Sequence, residues 1–200
     1  MSKNTAKEFM GGKTKIIDLF CGLGGWAKGL IDAGHDVTGY DLVDFSAVYP
    51  GKFIQSDLLK LNDFPRADAI VASPPCTHFS KSSMPSTWKS VQRYPPDISM
   101  GMKLFSRTRE IIDAVRPEYY VIENVRGAQK WVGMADFHYG SRYFWSNIGW
   151  KLYGDGGDVY GKWKLSPSMD RAAIRSLIPY SISRGLGEYL KLIEIKNGGE

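Results

Sequence analysis

Cysteine and histidine are scarce in this 200-residue sequence, and their scarcity argues against several kinds of site. Only two cysteines occur, Cys21 and Cys76, and they form no Cys-x-x-Cys pair. The three histidines do not cluster along the chain. Because zinc sites and disulfide frameworks need several such residues at short spacings, we expect free thiols and no bound metal.

Long apolar runs, internal repeats and low-complexity tracts are also missing. No apolar stretch approaches the roughly 20 residues that a membrane-spanning helix requires, and residues 1–13 are polar rather than signal-like. We therefore expect a cytoplasmic protein with a flexible segment at residues 1–13 and no membrane partner.

Acidic residues are in the minority, and the imbalance is local. The chain has 26 lysines and arginines against 21 aspartates and glutamates, which gives a net charge of +5. Between residues 75 and 111 the acids are Asp97 and Glu110, whereas the cations are Lys81, Lys89, Arg93, Lys103, Arg107 and Arg109. This segment is either a basic rim that faces a polyanion or an ordinary solvated loop.

Short apolar runs alternate with helical patterns along most of the chain. The predicted strands are residues 15–20, 35–40, 52–55, 69–72 and 119–122, with one or two later strands around Phe144, Trp145, Ile148, Trp150 and Leu152. The predicted helices are residues 26–33, a stretch with Met102, Phe105, Ile112 and Val115 on one face, and residues 181–195, with Ser181 as N-cap. This order predicts an α/β fold with a doubly wound, mostly parallel sheet, in a single domain over residues 1–200.

Two chemically unusual sequences follow neighbouring predicted strands. Ser-Pro-Pro-Cys ends at Cys76, and Glu123 begins Glu-Asn-Val. The carboxyl ends of parallel strands meet at one edge of a sheet. We therefore expect the Cys76 thiol and the Glu123 carboxyl to face one substrate, as nucleophile and acid, while Asn124 braces the loop. A buried, inert cysteine is the alternative for Cys76.

A glycine-rich turn joins the first strand to the first helix. It begins at Asp18 and reads Asp-Leu-Phe-Cys-Gly-Leu-Gly-Gly, which lets backbone N–H groups approach a nucleoside-like ligand. Asp41 and Asp57 follow the next two strands. An acid at such a position accepts from ribose hydroxyls or from an adenine amine, although either residue could instead be a cap or turn residue.

Five motifs occur in an order and at a spacing that resembles the cytosine-5 DNA methyltransferases, which use S-adenosylmethionine. They are DLFCGLGG, GYD, QSDLL, ASPPCTHFS and VIENV, and together they cover most of residues 15–127. The resemblance implies a Rossmann-like methyltransferase fold, with S-adenosylhomocysteine as product. The residues expected at the cofactor are Asp18, Phe20, Gly22, Gly24, Gly25, Asp41, Asp57 and Pro74, whereas Cys21 is expected to pack within the turn.

The resemblance also implies the catalytic roles, and the chemistry asks for the same groups. C5 of cytosine is a weak nucleophile until a thiolate adds at C6, which is the role implied for Cys76. A nearby positive charge or a helix N-terminus is expected to lower the pKa of this thiol. Glu123 would hold a proton for ring N3, which favours a carboxyl made neutral by burial. Enzymes that methylate exocyclic amines carry an aromatic residue where Cys76 stands.

Later parts of the chain match the family less well. Residues 138–142 faintly resemble a Gln-x-Arg-x-Arg segment with one arginine missing, so Arg142 is expected to contact cytosine O2 or else to be a surface arginine. Between residues 150 and 171 the family normally inserts a target-recognition region, and here residues 151–170 are a short loop. We expect a very short recognition sequence, relaxed specificity or a partner protein that supplies specificity. The oligomeric state stays open.

Residues 77–98 form a long irregular stretch directly after the predicted nucleophile, as expected of a functional loop. Duplex DNA hides C6 within the base stack, so the target cytosine must be flipped out, with this catalytic loop as lid. The expected DNA contacts are Ser80, Lys81, Ser83, Trp88, Lys89, Arg93 and Arg126. Trp88 could equally anchor the loop.

The sequence therefore predicts a minimal enzyme that methylates cytosine C5 in DNA through a covalent Cys76 adduct. Its size and the resemblance favour a phage or mobile-element enzyme that protects DNA from restriction. Two alternatives stay open: an RNA cytosine-5 methyltransferase and a non-catalytic module that binds nucleic acid or cofactor.

Overall fold

The fold is that of a computed structural model, which describes residues 13–80, 97–149 and 177–197. The strands in these ranges are β1 (Lys15–Leu19), β2 (Asp36–Asp41), β3 (Lys52–Gln55), β4 (Ala69–Ala72), β5 (Tyr119–Val125), β6 (Phe137–Tyr139) and β7 (Arg142–Ser146). The α-helices are α1 (Gly25–Asp32), α2 (Ile98–Val115), α3 (Gln129–Val132) and α4 (Tyr180–Asn197). Within the described residues, none of these helices combines the length and apolarity needed to cross a bilayer.

All seven strands form one sheet in the order β3-β2-β1-β4-β5-β7-β6. Strands β1 to β5 are parallel, whereas β7 pairs antiparallel with β5, and β6 pairs antiparallel with β7. The strand order reverses between β1 and β4, so the loops after these two strands diverge at the carboxyl edge of the sheet. Such a switch point is the usual ligand crevice of an open α/β sheet. The predicted doubly wound, mostly parallel α/β fold is confirmed.

Alternate residues of each central strand enter separate apolar clusters, as a strand covered on both faces requires. Ile16, Val71 and Val121 pack with α1 and α4, whereas their neighbours Ile17 and Ile70 pack with α2. The sheet therefore has helices on both faces, so a ligand can reach it only at the strand ends.

The observed elements correct several sequence predictions. Met102 is 39% exposed, because α2 turns Gly101, Phe105 and Thr108 toward the core instead. Helix α4 begins at Tyr180, which puts Ser181 inside the first turn rather than at the cap. The late strands lie earlier than expected, as a β6–β7 hairpin that pairs with β5. Trp150 and Leu152 lie outside the described residues.

Helix α4 packs very closely against α1, and glycine permits the approach. A Cβ atom at Gly29 would lie 2.1 Å from Ser183 Oγ and 2.4 Å from the Arg184 backbone nitrogen. The Tyr180 hydroxyl donates to Asp32 at 2.9 Å and so ties the start of α4 to the end of α1. Ile182, Leu186 and Leu190 then pack on the sheet beside Trp26. Docking of α4 therefore completes one face of the core.

We predict that Gly29→Ala destabilises the protein, although alanine is the better helix former by about 1 kcal/mol. Overpacking of this kind costs roughly 1–3 kcal/mol, and the clashing atoms include backbone. Met102→Ala on the exposed face of α2 is the control and should change stability by less than about 0.5 kcal/mol. Urea unfolding followed by circular dichroism would measure both changes. A Gly29→Ala protein as stable as the natural chain would contradict the close packing.

Candidate active site

The site lies at the carboxyl edge of the sheet, where the loops after β1 and β4 meet. The Ser73 backbone N–H donates to the Leu19 carbonyl at 3.1 Å, which extends the β1–β4 pairing past the end of β4. On the other side of β1, Cys21 N–H donates to the Tyr40 carbonyl at 3.2 Å. The two loops are therefore held in fixed positions relative to each other and to β2.

Cys76 opens a single 3-10 turn, Cys76–His78, directly after two prolines. The N–H groups of Phe79 and Ser80 both donate to the Cys76 carbonyl, at 3.0 and 3.1 Å. The prolines restrict the backbone that presents the residue, and the side chain is half-buried. The thiol therefore has a fixed position and is not sealed in the core.

Burial raises the pKa of the Cys76 thiol, and the negative charge of Glu123 raises it further. The positive charge of Arg142 opposes this rise without cancelling it. Arg142 thus lowers the pKa of this thiol, as expected of a neighbouring cation, but in the protein without substrate the desolvation of the thiolate is the larger effect. Cys76 is therefore protonated at neutral pH in this state.

Glu123 lies in β5, is 6% exposed and has two side-chain partners. Its Oε1 accepts from Arg142 Nη1 at 3.1 Å, and Ser73 also donates to its carboxylate. Burial nevertheless raises the pKa of Glu123, because removal of the charge from water outweighs both contacts. The direction of this shift is the one that the predicted acid role needs, because burial favours the protonated form of the carboxyl. The Ser73 hydroxyl in turn accepts from Trp26 Nε1 at 3.0 Å.

Arg142 connects the acid to the C-terminal part of the chain. It opens β7, where it pairs with Val125 of β5, and its side chain is only 17% exposed. Its Nη2 donates to the Leu177 carbonyl at 2.6 Å, three residues before α4 begins. Arg142 is therefore a partly buried bridge between Glu123 and Leu177 and not a surface arginine.

Asn124 braces the loop that carries the thiol, as expected. Its side-chain amide donates to the Pro74 carbonyl at 2.9 Å, and its Oδ1 accepts from the Val125 N–H at 2.8 Å. The residue is completely buried. The Pro-Pro-Cys loop is thus fastened to the same strand that presents Glu123, which fixes the separation of the two groups.

The glycine turn after β1 borders a small cavity on the α1 side of the crevice. Phe20, Gly22, Trp26, Ser73 and Leu177 are among its lining residues, and Gly25 also contributes. Gly22 has φ +49°, and no heavy atom lies within 4 Å of the place where its Cβ would be. The backbone of the turn is therefore open to a ligand at this point.

The predicted acids and glycines divide into those at this cavity and those beneath it. Asp41 Oδ2 accepts from the Gly22 N–H at 2.9 Å, so this acid positions the turn. Asp18 is fully buried and accepts from the Tyr49 hydroxyl at 3.0 Å, and burial raises its pKa well above the usual range. Gly24, with φ +85°, faces Pro50.

Two further predicted residues lie at strand ends. Asp57 follows β3, accepts from the Leu59 N–H at 3.0 Å and is flanked by Lys60. These contacts lower the pKa of Asp57, which is therefore ionised. It behaves as a turn residue in this structure, and a carboxylate has further lone pairs for a ligand. Pro74 contributes its carbonyl to Asn124 and does not line the small cavity.

The predicted nucleic-acid contacts are only partly described. Ser80 and Arg126 line an open groove of about 780 Å³ beside Cys76 and Glu123, the predicted catalytic pair. The other predicted contacts, Lys81, Ser83, Trp88, Lys89 and Arg93, lie outside the described residues, as does the recognition loop predicted at residues 151–170.

Two cations of the basic segment have structural contacts. Arg107 donates to the carbonyls of Leu58 and Leu61, at 2.8 and 2.6 Å, and Arg109 donates to the Val132 carbonyl at 3.0 Å. Arg107 thus fastens α2 to the loop after β3 rather than forming a rim. Sequence reasoning also missed Ser73 and Leu177 as partners of the site. Ser73 was visible inside its motif, whereas a backbone carbonyl leaves no signal in a sequence.

The chain is similar over part of its length to several known proteins. The Type II methyltransferase M.AplI of Arthrospira platensis is 31% identical over 121 residues, and the Type II methyltransferase M.HgiCI of Herpetosiphon aurantiacus is 32% identical over 124 residues. Both alignments cover 56% of this chain, but only 31% and 27% of those relatives. Among solved structures, a variant of Spodoptera frugiperda DNMT2 has a TM-score of 0.41 and 22% identity, over 60% of this chain and 38% of that chain.

The chain thus spans less than a third of the length of these two curated relatives. A family model describes the shared part. It matches residues 14–132, which include the glycine turn, Asp41, Asp57, Cys76 and Glu123. Because this match covers more than half of the sequence, the chain belongs to the C-5 cytosine-specific DNA methylase family.

Proposed function

We propose that the protein transfers a methyl group from S-adenosylmethionine to C5 of a cytosine in DNA, through a transient bond between Cys76 and C6. The main support is the placement of Cys76 and Glu123 at neighbouring strand ends, close enough for the charge of the acid to raise the pKa of the thiol. A nucleophile and a proton donor at one crevice are the two groups that addition to a pyrimidine ring requires.

The residues at the glycine turn fit the cofactor. Gly22 leaves its backbone open, Asp41 is ordered beside it, and Asp57 is ionised at the end of β3. The two carboxylates suit ribose hydroxyls and an adenine amine, and Phe20 supplies an apolar wall. When bound there, S-adenosylmethionine supplies the methyl group and leaves as S-adenosylhomocysteine with the electron pair of the broken bond.

In the proposed mechanism, Cys76 loses its proton to solvent and its sulfur forms a bond to C6 of the flipped cytosine. The electrons of the C5–C6 double bond move into the ring toward N3, where Glu123 donates its proton. C5 then bonds to the methyl group. Loss of the C5 proton to solvent expels the Cys76 thiolate and restores the double bond, and N3 returns its proton to Glu123.

Arg142 positions Glu123 in this scheme. A guanidinium has five donors, and two of its nitrogens contact Glu123 and the Leu177 carbonyl. A contact of Arg142 with cytosine O2 is part of this proposal. With Glu123 protonated, the nearest negative charge to Cys76 disappears while Arg142 stays positive, so formation of the thiolate becomes easier.

The proposed enzyme has little sequence specificity of its own. A short recognition sequence, relaxed specificity or a partner protein follows from the small size of residues 151–170. The Type II names of the relatives fit a role in restriction-modification, here protection of phage or mobile-element DNA.

We predict that Cys76→Ala abolishes both methyl transfer and covalent capture of 5-fluorocytosine DNA, because C6 then has no attacking sulfur. Cys21→Ala is the matched control and should still form the adduct, since the Cys21 thiol is buried and burial raises its pKa. Denaturing gel electrophoresis measures the covalently trapped complex for both variants. Adduct formation by the Cys76→Ala protein would refute the mechanism.

We predict that Glu123→Gln slows methyl transfer at least about tenfold, a modest share of what a general acid contributes. The amide keeps the size of the side chain but cannot give a proton to N3. Single-turnover rates with labelled cofactor provide the measurement. An unchanged rate would remove Glu123 from the proposed chemistry.

The same variant should lower the pKa of Cys76. Because the Glu123 charge raises this pKa, its removal favours the thiolate, and the pH midpoint of Cys76 alkylation should move to lower pH. The readout is iodoacetamide labelling across a pH series, with the Cys76 peptide quantified by mass spectrometry. A midpoint that stays in place or rises would show that the two groups are not coupled as described.

A further inference from the structure

An open groove lies beside the catalytic pair and has a different lining. Phe79, Val125 and Tyr143 form its apolar part, and Arg126, Lys130 and Trp131 belong to its polar and aromatic part. We call this the flanking groove. Its volume of about 780 Å³ is within the range of cavities that bind small organic ligands.

The flanking groove adjoins the site through the chain itself. Val125 and Arg126 follow Glu123 by two and three residues, Phe79 follows Cys76 by three, and Tyr143 is next to Arg142. Yet Cys76, Glu123 and Arg142 are not among its described lining residues. A group seated there would be next to the base under attack and could not be that base.

Trp131 is an exposed aromatic residue on a fixed support. It is 42% exposed, although α3 is well anchored. The Trp145 indole N–H donates to the Gly133 carbonyl at 3.0 Å, and the Ala135 N–H donates to the Gln129 side chain at 3.1 Å. Ala128, directly before α3, is completely buried. The indole is thus held outward by the fold, at a cost in exposed apolar surface.

The charge of the flanking groove is positive. Lys130 Nζ lies 4.9 Å from the centroid of the Trp131 ring, and Arg126 is exposed nearby. Among the described residues that line this groove there is no carboxylate. An aromatic platform with adjacent cations is the combination that binds a nucleobase together with its phosphate.

We propose that the flanking groove receives the nucleotide next to the target cytosine in the same DNA strand. Its base stacks on Trp131 along the apolar part, and its phosphate contacts Arg126 and Lys130. This proposal rests on the proposed function. It adds a second contact to the substrate, which matters because the predicted recognition loop is short. Preference for a base or strand form would then arise beside the catalytic pair.

The test measures coupling between Trp131 and one base. Single-stranded oligonucleotides with one cytosine would carry an abasic site at the 5′ neighbour, at the 3′ neighbour or at neither, and fluorescence anisotropy would give Kd for the full chain. One of the two abasic sites should weaken binding about tenfold, as loss of one stacked base does. Trp131→Ala should weaken binding of the intact strand by a similar factor and should be indifferent to that abasic site.

Three controls accompany this measurement. Trp131→Phe should retain most of the binding, because an aromatic face remains. Leu192→Ala, at a 58% exposed apolar position on α4, and Lys52→Gln, at the opposite edge of the sheet, should leave Kd unchanged. Thermal unfolding would show that each variant is folded before its binding is compared.

The outcomes separate this proposal from the proposed function. If neither abasic site matters, or if Trp131→Ala weakens all strands equally, the flanking groove does not hold a neighbouring base and the inference is overturned. Methyl transfer by the natural chain, measured with the same strands, is independent of that result. If Trp131 and the neighbouring base are coupled but no methyl transfer occurs, the role of the flanking groove is supported and the proposed enzymatic function is rejected.

Discussion

The site is organised around the removal of one carboxyl group from water. An ionised Glu123 at 6% exposure carries a desolvation cost that in proteins amounts to several kcal/mol. Arg142 and Ser73 offset part of this cost, and protonation of the acid removes the rest. The partners come from different parts of the chain, since Ser73 follows β4, Arg142 opens β7, and Trp26 of α1 supports Ser73. The raised pKa of this acid and the fixed direction of its side chain thus result from burial together with several separate contacts.

The same burial sets the state of the nucleophile. A thiol beside a desolvated acid stays protonated while that acid is charged, and it becomes easier to ionise when the acid holds a proton. The two groups therefore act as a coupled pair, in which the protonation of one favours the ionisation of the other. Arg142 contacts the acid directly, and its positive charge acts on both groups of the pair.

Most strands and helices could be predicted from local patterns in the sequence, because the strands of a parallel sheet with both faces covered are short apolar runs that are easy to recognise. The strands at Lys52–Gln55 and Ala69–Ala72 agree with the structure residue for residue, and the motifs at the strand ends indicated the family before any fold was known. The predictions that failed concern features that depend on tertiary packing. Met102 has the right spacing for a buried face, but Gly101 lies against His78 and Phe79 and turns that face. The contact from Arg142 to the Leu177 carbonyl involves backbone and spans 35 residues, so no residue pattern could reveal it.

The packing of α4 on α1 has a consequence for how the protein is made. Tyr180 and Asp32 meet across 148 positions of chain, and the same helix brings Leu177 to Arg142. During translation, the sheet face that α4 covers stays exposed to water until that helix has left the ribosome. A nascent chain would therefore expose these apolar strands until α4 has docked, and the bridge from Arg142 to Leu177 could form only after that.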